Sequence, residues 1–265
     1  MFISEIKNSV EAHIQNLQKT HFRESKYGRE ILKLKGTHTG EKCFIIGNGP
    51  SLSASDLQKL HDYDIITFAS NRIYNIFNDT NWRPTYYASE DIIILKDIQE
   101  KINNLKIERK FIPINLKWYE NIDIKGATYF LMDYDSDRPE IYNLALNIEE
   151  GVRCKGTVTI TCIQFAIYMG FSEIYLLGVD HSYSKMLDEK GKIVEDNSVK
   201  DYFSDKYDVG IKDKLTHDIG SATKAFWDVE QLSQKIKTFR VYNATRGGKL
   251  EVFERVDFDE IVSKK

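Results

Sequence analysis

A glycine-rich run is the strongest chemical feature of this sequence. The run consists of Gly47, Asn48, Gly49, Pro50 and Ser51. It follows the apolar stretch Cys43 to Ile46, which is typical of a buried strand. Glycines let backbone N–H groups approach an anion closely, and a helix that begins after the loop adds its positive end. The run therefore predicts a phosphate-binding loop, and the alternative is a tight strand-to-helix turn without a ligand.

Two histidines are candidate general bases, because imidazole titrates near neutral pH. His181 follows Asp180, which lies three residues after the apolar stretch 173–177. His217 lies just before a predicted helix, and Ser221 stands four residues further on. For either histidine the alternative is a hydrogen-bonded structural role, and Asp180 has the alternative role of capping a turn.

These residues need elements that bring them together, and the hydrophobic pattern predicts such elements. Apolar runs typical of strands cover residues 43–46, 64–69, 84–89, 110–114, 128–132, 173–177 and 239–242, and helical patterns follow Ser53 and cover 157–169 and 222–236. This alternation predicts an α/β, Rossmann-like fold with a mostly parallel sheet and helices on both faces.

Polar residues follow five of the predicted strands. They are Asn48 and Ser51, Asn71 and Arg72, Ser89 and Glu90, Asp180 and His181, and Asn243 and Thr245. Ligands of parallel sheets bind beyond the carboxyl ends of the strands, so these side chains are expected in one crevice. Further candidates for contacting the substrate are Lys155, Gly156, Thr157, Gly178 and Tyr183.

The composition excludes several classes of protein. The 265 residues are 42% hydrophobic and 29% charged with a formal net charge of -3, which argues against disorder and against general attraction to nucleic acid. The three cysteines have no metal-binding spacing and indicate a reducing compartment. The longest apolar stretch, 158–171, is too short to span a bilayer, and the start of the chain does not resemble a signal peptide. A cytoplasmic location is expected, and any contact with the inner face of the membrane would be peripheral.

The chain divides into an N-terminal helical extension, 1–40, and a catalytic domain, 41–265. Phe2, Ile6, Val10, Ile14 and Leu17 recur at helical spacing in the extension. This apolar stripe has two candidate partners, the domain itself or a second subunit in a homo-oligomer. Residues 184–215 are charged and weakly periodic, and we interpret them as an insertion that acts as a lid over the substrate.

Three motifs together resemble the bacterial Maf/MptE-like superfamily, which includes flagellin-modifying glycosyltransferases. They are Phe44 to Leu52 with Ser70 to Arg72, Gly170 to Asp180, and Tyr242 to Gly248. The sequence is also similar to the lipo-oligosaccharide sialyltransferases of glycosyltransferase family 42. The resemblance covers residues 40–262.

The resemblance implies roles for individual residues. In the sialyltransferases the equivalents of Asn48, Ser51 and Asn71 hold the cytidine monophosphate part of the donor. Their general base is a histidine after an Ile-Gly pair, whereas here His217 precedes that pair and Ser221 stands near the catalytic position. The family's arginine near the phosphate is matched approximately by Arg153 or Lys155, and its phosphate-stabilising tyrosines by Tyr183 or Tyr202.

The resulting hypothesis is a glycosyltransferase that moves a CMP-activated nonulosonic acid onto a bacterial surface glycan or protein. It requires no cofactor, because a nucleotide phosphate is already a good leaving group. The first alternative is a pyrophosphokinase acting on 6-hydroxymethylpterin, which needs ATP and Mg²⁺ and therefore clustered carboxylates. The second is a non-catalytic nucleotide- or glycan-binding protein.

Overall fold

Eight parallel strands form the central sheet. A computed structural model of the protein describes residues 14, 17–133, 144–154, 156–188, 190–207 and 216–263. The sheet strands are β1 (Lys42–Ile46), β2 (Thr67–Ser70), β3 (Tyr86–Ala88), β4 (Arg109–Pro113), β5 (Ala127–Phe130), β8 (Glu173–Leu177), β11 (Arg240–Asn243) and β12 (Glu254–Arg255). Two short pairs lie outside it, β6 (Met132–Asp133) with β7 (Val152–Arg153), and β9 (Lys185–Leu187) with β10 (Ile193–Glu195). The predicted parallel α/β sheet is confirmed.

The direction of winding reverses at β1. The strand order is β12-β11-β8-β1-β2-β3-β4-β5, so the chain runs outwards from β1 to β5 and later returns on the other side. Right-handed crossovers on the two sides of β1 place their helices on opposite faces of the sheet. The register pairs Ile46 of β1 with Leu177 of β8 and with Ala69 of β2. The residues after β1 and β8 therefore start side by side at a topological switch point, where such sheets bind ligands.

Residues 17–24 are helical, and seven further α-helices of the described chain connect and flank these strands. They are α1 (Lys26–Leu32), α2 (Ala54–Asp62), α3 (Ile92–Asn104), α4 (Ile114–Glu120), α5 (Val158–Met169), α6 (Ile219–Ile236) and α7 (Phe258–Ser263). Ser53 caps α2 as the sequence predicted, since its Oγ accepts the Asp56 N–H at 3.1 Å. Buried side chains dominate α5, which packs on the sheet, and Phe165 of α5 stacks on Phe111 of β4 at 3.9 Å between ring centroids. None of the described helices combines the length and the apolar character needed to cross a lipid bilayer.

The structure also contains elements that the sequence analysis missed. Helix α3 follows β3, and α4 begins at Ile114, which the hydrophobic pattern assigned to a strand. The apolar residues of short amphipathic helices that follow strands directly give the same local signal as a longer strand. The predicted insertion, 184–215, contains the antiparallel pair of β9 and β10. The division of the chain into an extension, 1–40, and a domain, 41–265, stays a prediction.

Candidate functional site

A cavity of about 480 Å³ lies at the carboxyl ends of the central strands. Among the predicted residues, Gly47, Asn48, Gly49, Asn71, Glu90, Gly178 and Asp180 line it from the ends of β1, β2, β3 and β8. His181, Tyr183, His217, Gly156 and Thr157 line it from the segments that follow β8 and precede α6 and α5. The topology therefore gathers residues that are up to about 170 positions apart in the chain.

The two glycines after β1 allow close packing against the end of β8. The Gly47 N–H donates to the Leu177 carbonyl at 2.8 Å, and the Gly49 N–H donates to the Gly178 carbonyl at 2.9 Å. A Cβ atom at Gly47 would overlap the Gly178 carbonyl oxygen, and one at Gly49 would overlap the Asp180 carboxylate. These contacts correct the expectation that the amides of both glycines point at a phosphate, because protein oxygens already accept their hydrogens.

The Asp180 carboxylate closes the glycine loop. It accepts the Ser51 hydroxyl at 2.7 Å and the Ser51 N–H at 3.3 Å, and only 8% of the residue is exposed. Burial raises the pKa of Asp180, while the hydrogen bonds from Ser51 act in the opposite direction. Ser51 does not line the cavity, so its contact with Asp180 stabilises the loop. Asp180 itself does line the cavity, so it keeps the predicted role of contacting a substrate.

Two asparagines occupy the ends of β1 and β2. Asn48 donates from Nδ2 to the Ser70 carbonyl at 3.3 Å, and within the described residues its buried Oδ1 has no hydrogen-bond partner. Asn71 has a left-handed backbone with φ of 52°, a conformation that asparagine adopts more readily than most residues. Its Oδ1 accepts the hydroxyl of Ser89 at 2.9 Å. Asn48 therefore offers an acceptor to a ligand donor group, and Ser89 acts by orienting Asn71.

The start of α5 provides the positive end of a helix at the cavity. Gly156, Thr157, Val158 and Thr159 line the cavity, and the Thr157 hydroxyl caps the helix by accepting the Thr159 N–H at 3.3 Å. The first N–H groups of a helix attract anions. A Cβ at Gly156 would lie 2.8 Å from Ala222, so this glycine also permits close packing of α5 and α6. The start of α5 is therefore a candidate anion-binding position, whereas the amides of Gly47 and Gly49 are already bonded to protein oxygens.

A carboxyl group lies in the cavity wall after β3. Glu90 accepts the Thr161 hydroxyl of α5 at 2.5 Å, and the Cys154 thiol is close to it. Burial raises the pKa of Glu90, whereas the bonds from Thr161 and Cys154 act in the opposite direction. Burial therefore favours the protonated form of this group more than water does, although in the structure the carboxyl accepts the Thr161 hydroxyl.

His217 is held in the cavity by aromatic neighbours. Its ring stacks on Tyr183 with centroids 3.7 Å apart and an interplanar angle of 13°, and its Nε2 lies 3.3 Å from the Tyr202 hydroxyl. Burial lowers the pKa of His217, while the carboxylates of Asp201 and Asp91 oppose that effect. Burial also raises the pKa of Tyr183 to about 12, so its hydroxyl stays protonated at neutral pH.

His181 is held by α6. Its Nε2 lies 2.7 Å from the Thr223 hydroxyl, and its ring makes an edge contact with Phe226 at 5.7 Å. Burial lowers the pKa of His181. Both histidines predicted from the sequence therefore line one cavity, and burial favours the neutral form of each.

Part of the insertion forms one wall of the cavity. The Phe203 N–H donates to the Asn48 carbonyl at 3.1 Å, and Tyr202 stacks on Tyr207 at 3.8 Å. Asp201 and Tyr207 also line the cavity and were not predicted from the sequence. The tyrosines of a charged segment were the available signal, but no periodicity connected them to the strand ends. Movement of the insertion as a lid stays a prediction.

Several predicted site residues lie outside the cavity lining. Arg72 is buried and forms an ion pair with Asp97 at 2.6 Å. Ser221 is exposed and donates to Asp218, the N-cap of α6, at 2.5 Å. Pro50 is exposed in the turn before α2. The contacts of Arg72 and Ser221 give these two residues structural roles.

The residues after β11 are also structural. Asn243 donates to the Leu250 carbonyl at 2.8 Å, and the Thr245 hydroxyl accepts the Val179 N–H at 3.1 Å. Both residues are buried, and the bond to Thr245 connects the segment after β11 to the segment after β8. Lys155, predicted to contact the phosphate, lies outside the described residues.

Comparisons with known proteins agree with this fold. No curated protein sequence matches the chain significantly. The structure is similar to that of the Maf glycosyltransferase from Magnetospirillum magneticum AMB-1, with a TM-score of 0.50 and 13% identity over 85% of this chain and 35% of that one. It also matches a mammalian sialyltransferase solved with Gal-beta-1-3GalNAc-ortho-nitrophenol, with a TM-score of 0.41 and 12% identity over 91% and 86% of the two chains.

These structural similarities concern the fold alone, and this chain spans about a third of the Maf protein. The sequence comparison is more specific. The model of the family described as 6-hydroxymethylpterin diphosphokinase MptE-like matches residues 12–186, which is more than half of the chain. The protein is therefore a member of the MptE-like family.

Proposed function

We propose that this protein is a glycosyltransferase that moves a CMP-activated nonulosonic acid onto a bacterial surface glycan or protein. The observation that carries the proposal is that His181 and His217 line the cavity that also contains the positive end of α5. The histidines suit proton removal, and the positive end of α5 suits a departing phosphate. Under this proposal the enzyme works in the cytoplasm or at the inner face of the membrane.

The reaction follows from these groups. A histidine accepts the proton of an acceptor hydroxyl while that oxygen attacks the anomeric carbon of the donor. The bond from that carbon to the phosphate oxygen breaks, and its electron pair leaves with CMP. The N–H groups at the start of α5 and the Thr157 hydroxyl stabilise the charge that develops on the phosphate. A nucleotide phosphate leaves readily, so the proposal needs no metal ion.

The electrostatics of the histidines support this role. Burial lowers the pKa of both rings, so each is mostly neutral at pH 7 and can accept a proton. A hydroxyl group of a donor sugar also finds a partner in the buried wall, because the buried Oδ1 of Asn48 offers an acceptor.

The second candidate is a Mg²⁺-dependent diphosphokinase acting on 6-hydroxymethylpterin. The name of the family favours it, and carboxylates line the cavity. Four of these carboxylates already accept structural hydrogen bonds: Asp180 from Ser51, Asp91 from the Ile94 N–H, Asp201 from Ser184 and Asp218 from Ser221. A Mg²⁺ site needs carboxylates that converge on one point, and among the described residues no three histidine, cysteine, aspartate or glutamate side chains do so.

Ligand-induced thermal shifts separate the candidates. The melting temperature would be measured with CMP in the presence of EDTA, and with ATP and Mg²⁺. Stabilisation by CMP without metal supports the transferase, whereas stabilisation only by ATP with Mg²⁺ supports the kinase. Transfer from a CMP-nonulosonic acid would then be measured, and CMP binding without any turnover would indicate the third possibility, a binding protein.

A further inference from the structure

The Thr223 hydroxyl determines which nitrogen of His181 carries a proton. Thr223 Oγ1 lies 2.8 Å from the Ile219 carbonyl, one turn earlier in α6. A carbonyl cannot donate, so the single hydroxyl proton of Thr223 must lie in this bond. Oγ1 is then only an acceptor towards the His181 Nε2, which lies 2.7 Å away. The His181 ring must therefore be protonated at Nε2.

The other ring nitrogen is left with its lone pair. In neutral imidazole one nitrogen donates and the other accepts, so Nδ1 of His181 is the basic atom. Within the described part of the chain, Nδ1 makes no hydrogen bond. His181 lines the cavity, so the structure provides a proton-accepting nitrogen of defined identity there.

The backbone and a second side chain also restrict this ring. His181 has a left-handed backbone with φ of 54°, a conformation that is uncommon outside glycine and that histidine adopts more readily than most other residues. Phe226 makes an edge contact with the ring at an interplanar angle of 78°. Left-handed backbones at residues other than glycine are concentrated at functional sites, because the surroundings must hold them in place.

The environment of His217 differs. Asp201 and Asp91 lie close enough to favour its charged form, whereas burial is the only resolved influence on His181. Tyr183 covers one face of the His217 ring, and Tyr202 reaches its Nε2. Two titratable groups in different environments commonly divide the roles of base and charge stabiliser.

We propose that Nδ1 of His181 takes the proton from the hydroxyl group of the acceptor substrate. Thr223 is the positioning residue that holds the ring in the required tautomer. The assignment rests on the proposed function. In the step, the acceptor O–H bond breaks, its proton goes to Nδ1, and the oxygen forms the new bond to the anomeric carbon. The bond from that carbon to the phosphate oxygen breaks, and CMP leaves with the electron pair.

Nitrogen-15 NMR of the histidine rings tests the tautomer without any substrate. Wild type and Thr223→Ser should both show His181 protonated at Nε2, with that proton slow to exchange because Oγ holds it. Thr223→Val has nearly the same volume but no acceptor, so the proton signal should be lost to exchange. Thr128→Val on β5 is the matched control, since it also removes a threonine hydroxyl that accepts a hydrogen bond, here from Arg109 at 3.1 Å. It should leave the His181 signal unchanged. A wild-type His181 ring protonated at Nδ1, or a Thr223→Val spectrum identical to wild type, would overturn the proposal that Thr223 sets the tautomer.

Kinetics with a CMP-nonulosonic acid donor tests the catalytic role. His181→Asn should lower kcat by about 10²- to 10⁴-fold. Thr223→Val should lower kcat by about tenfold to a hundredfold at unchanged KM, and Thr223→Ser should restore it. Transfer by wild type that persists in His181→Asn would overturn the assignment and leave the proposed function standing. Absence of transfer by wild type would overturn the proposed function and the role of His181, while the NMR result would still decide the tautomer.

Discussion

The side chains around the glycine loop show why Gly47 and Gly49 are needed. The residue at position 47 lies against the Gly178 carbonyl, and the residue at position 49 lies against the Asp180 carboxylate. At this point two parallel strands end side by side, and their connections separate only after these residues. The loop therefore depends on glycine for packing between main chains, and under the proposed function Asn48 supplies its side-chain contact with a ligand.

Gly47→Ala should destabilise the protein by about 1–3 kcal/mol, because the added methyl group overlaps a main-chain carbonyl that cannot move freely. Urea unfolding followed by circular dichroism would measure the change. Gly220→Ala is the control, because its Cβ would lie 3.5 Å from Asp218 and the residue is helical. That variant should be more stable than wild type by about 0.5–1 kcal/mol. Equal effects at the two positions would contradict this account of the loop.

Because the Glu90 carboxyl is buried, we expect the stability difference between wild type and Glu90→Gln to depend on pH. Burial raises its pKa in the folded protein, so the unfolded chain releases the proton first as the pH rises above about 4. The contribution of this group to stability therefore declines as the pH rises through the pKa of the folded protein. Glu90→Gln should melt at a higher temperature than wild type at pH 7, and the two should converge near pH 4. Glu100→Gln, at an exposed position, should melt like wild type at both pH values.

Helix α6 carries the positions that matter most to the site, and its start is fixed by a cap. Asp218 accepts the Ser221 N–H at 3.0 Å and the Ser221 hydroxyl at 2.5 Å. His217 precedes the cap, and Thr223 follows within the first two turns of the helix. The same element thus positions both histidines, one through the chain that enters it and one through a side chain.

Asp218→Ala should cost about 1 kcal/mol of stability, because it leaves the Ser221 N–H without its cap. Asp218→Asn retains an acceptor and should cost much less. Ser221→Ala should change stability by less than about 0.5 kcal/mol, since Ser221 is exposed. It should also retain wild-type turnover, because Ser221 does not line the cavity. Thermal unfolding and a transfer assay would measure both effects, and a strong loss of turnover in Ser221→Ala would restore the catalytic role that the sequence suggested.

At the scale of the whole molecule, Arg246 connects the C-terminal end of the chain to its first β–α unit. Its guanidinium contacts the Asp56 carboxylate of α2 and lies 3.0 Å from Asp259 of α7. Asp56 is only 3% exposed, so it depends on this partner, whereas Asp259 is exposed. The arginine side chain is half-exposed, which weakens the pair relative to a fully buried one.

Arg246→Ala should destabilise the protein by about 1–2 kcal/mol, because it leaves the buried Asp56 carboxylate without its cation. Lys59→Ala is the matched control, since Lys59 forms its ion pair with Asp259 at the surface and should have a smaller effect. Urea unfolding at low and high salt would measure both. A larger loss in Lys59→Ala than in Arg246→Ala would show that the surface pair matters more than the buried one.

The sequence by itself determined the class of fold and four of the strand ends that meet at the site. Strand and helix periodicities depend on neighbouring residues, so the strands and α5 were predictable, and the strand-end rule correctly brought Asn48, Asn71, Glu90 and His181 to one cavity. The family resemblance was confirmed as well.

Only the tertiary structure decided what each strand-end residue does. Gly178 decides whether the Gly49 amide is free, and Asp218 decides whether Ser221 reaches the cavity. Thr223 decides which nitrogen of His181 is protonated. Gly178 and Thr223 lie far away in the chain from the residues they determine. The physical reason is that hydrogen bonding and burial are set by three-dimensional neighbours, whereas hydrophobic periodicity is a property of consecutive residues.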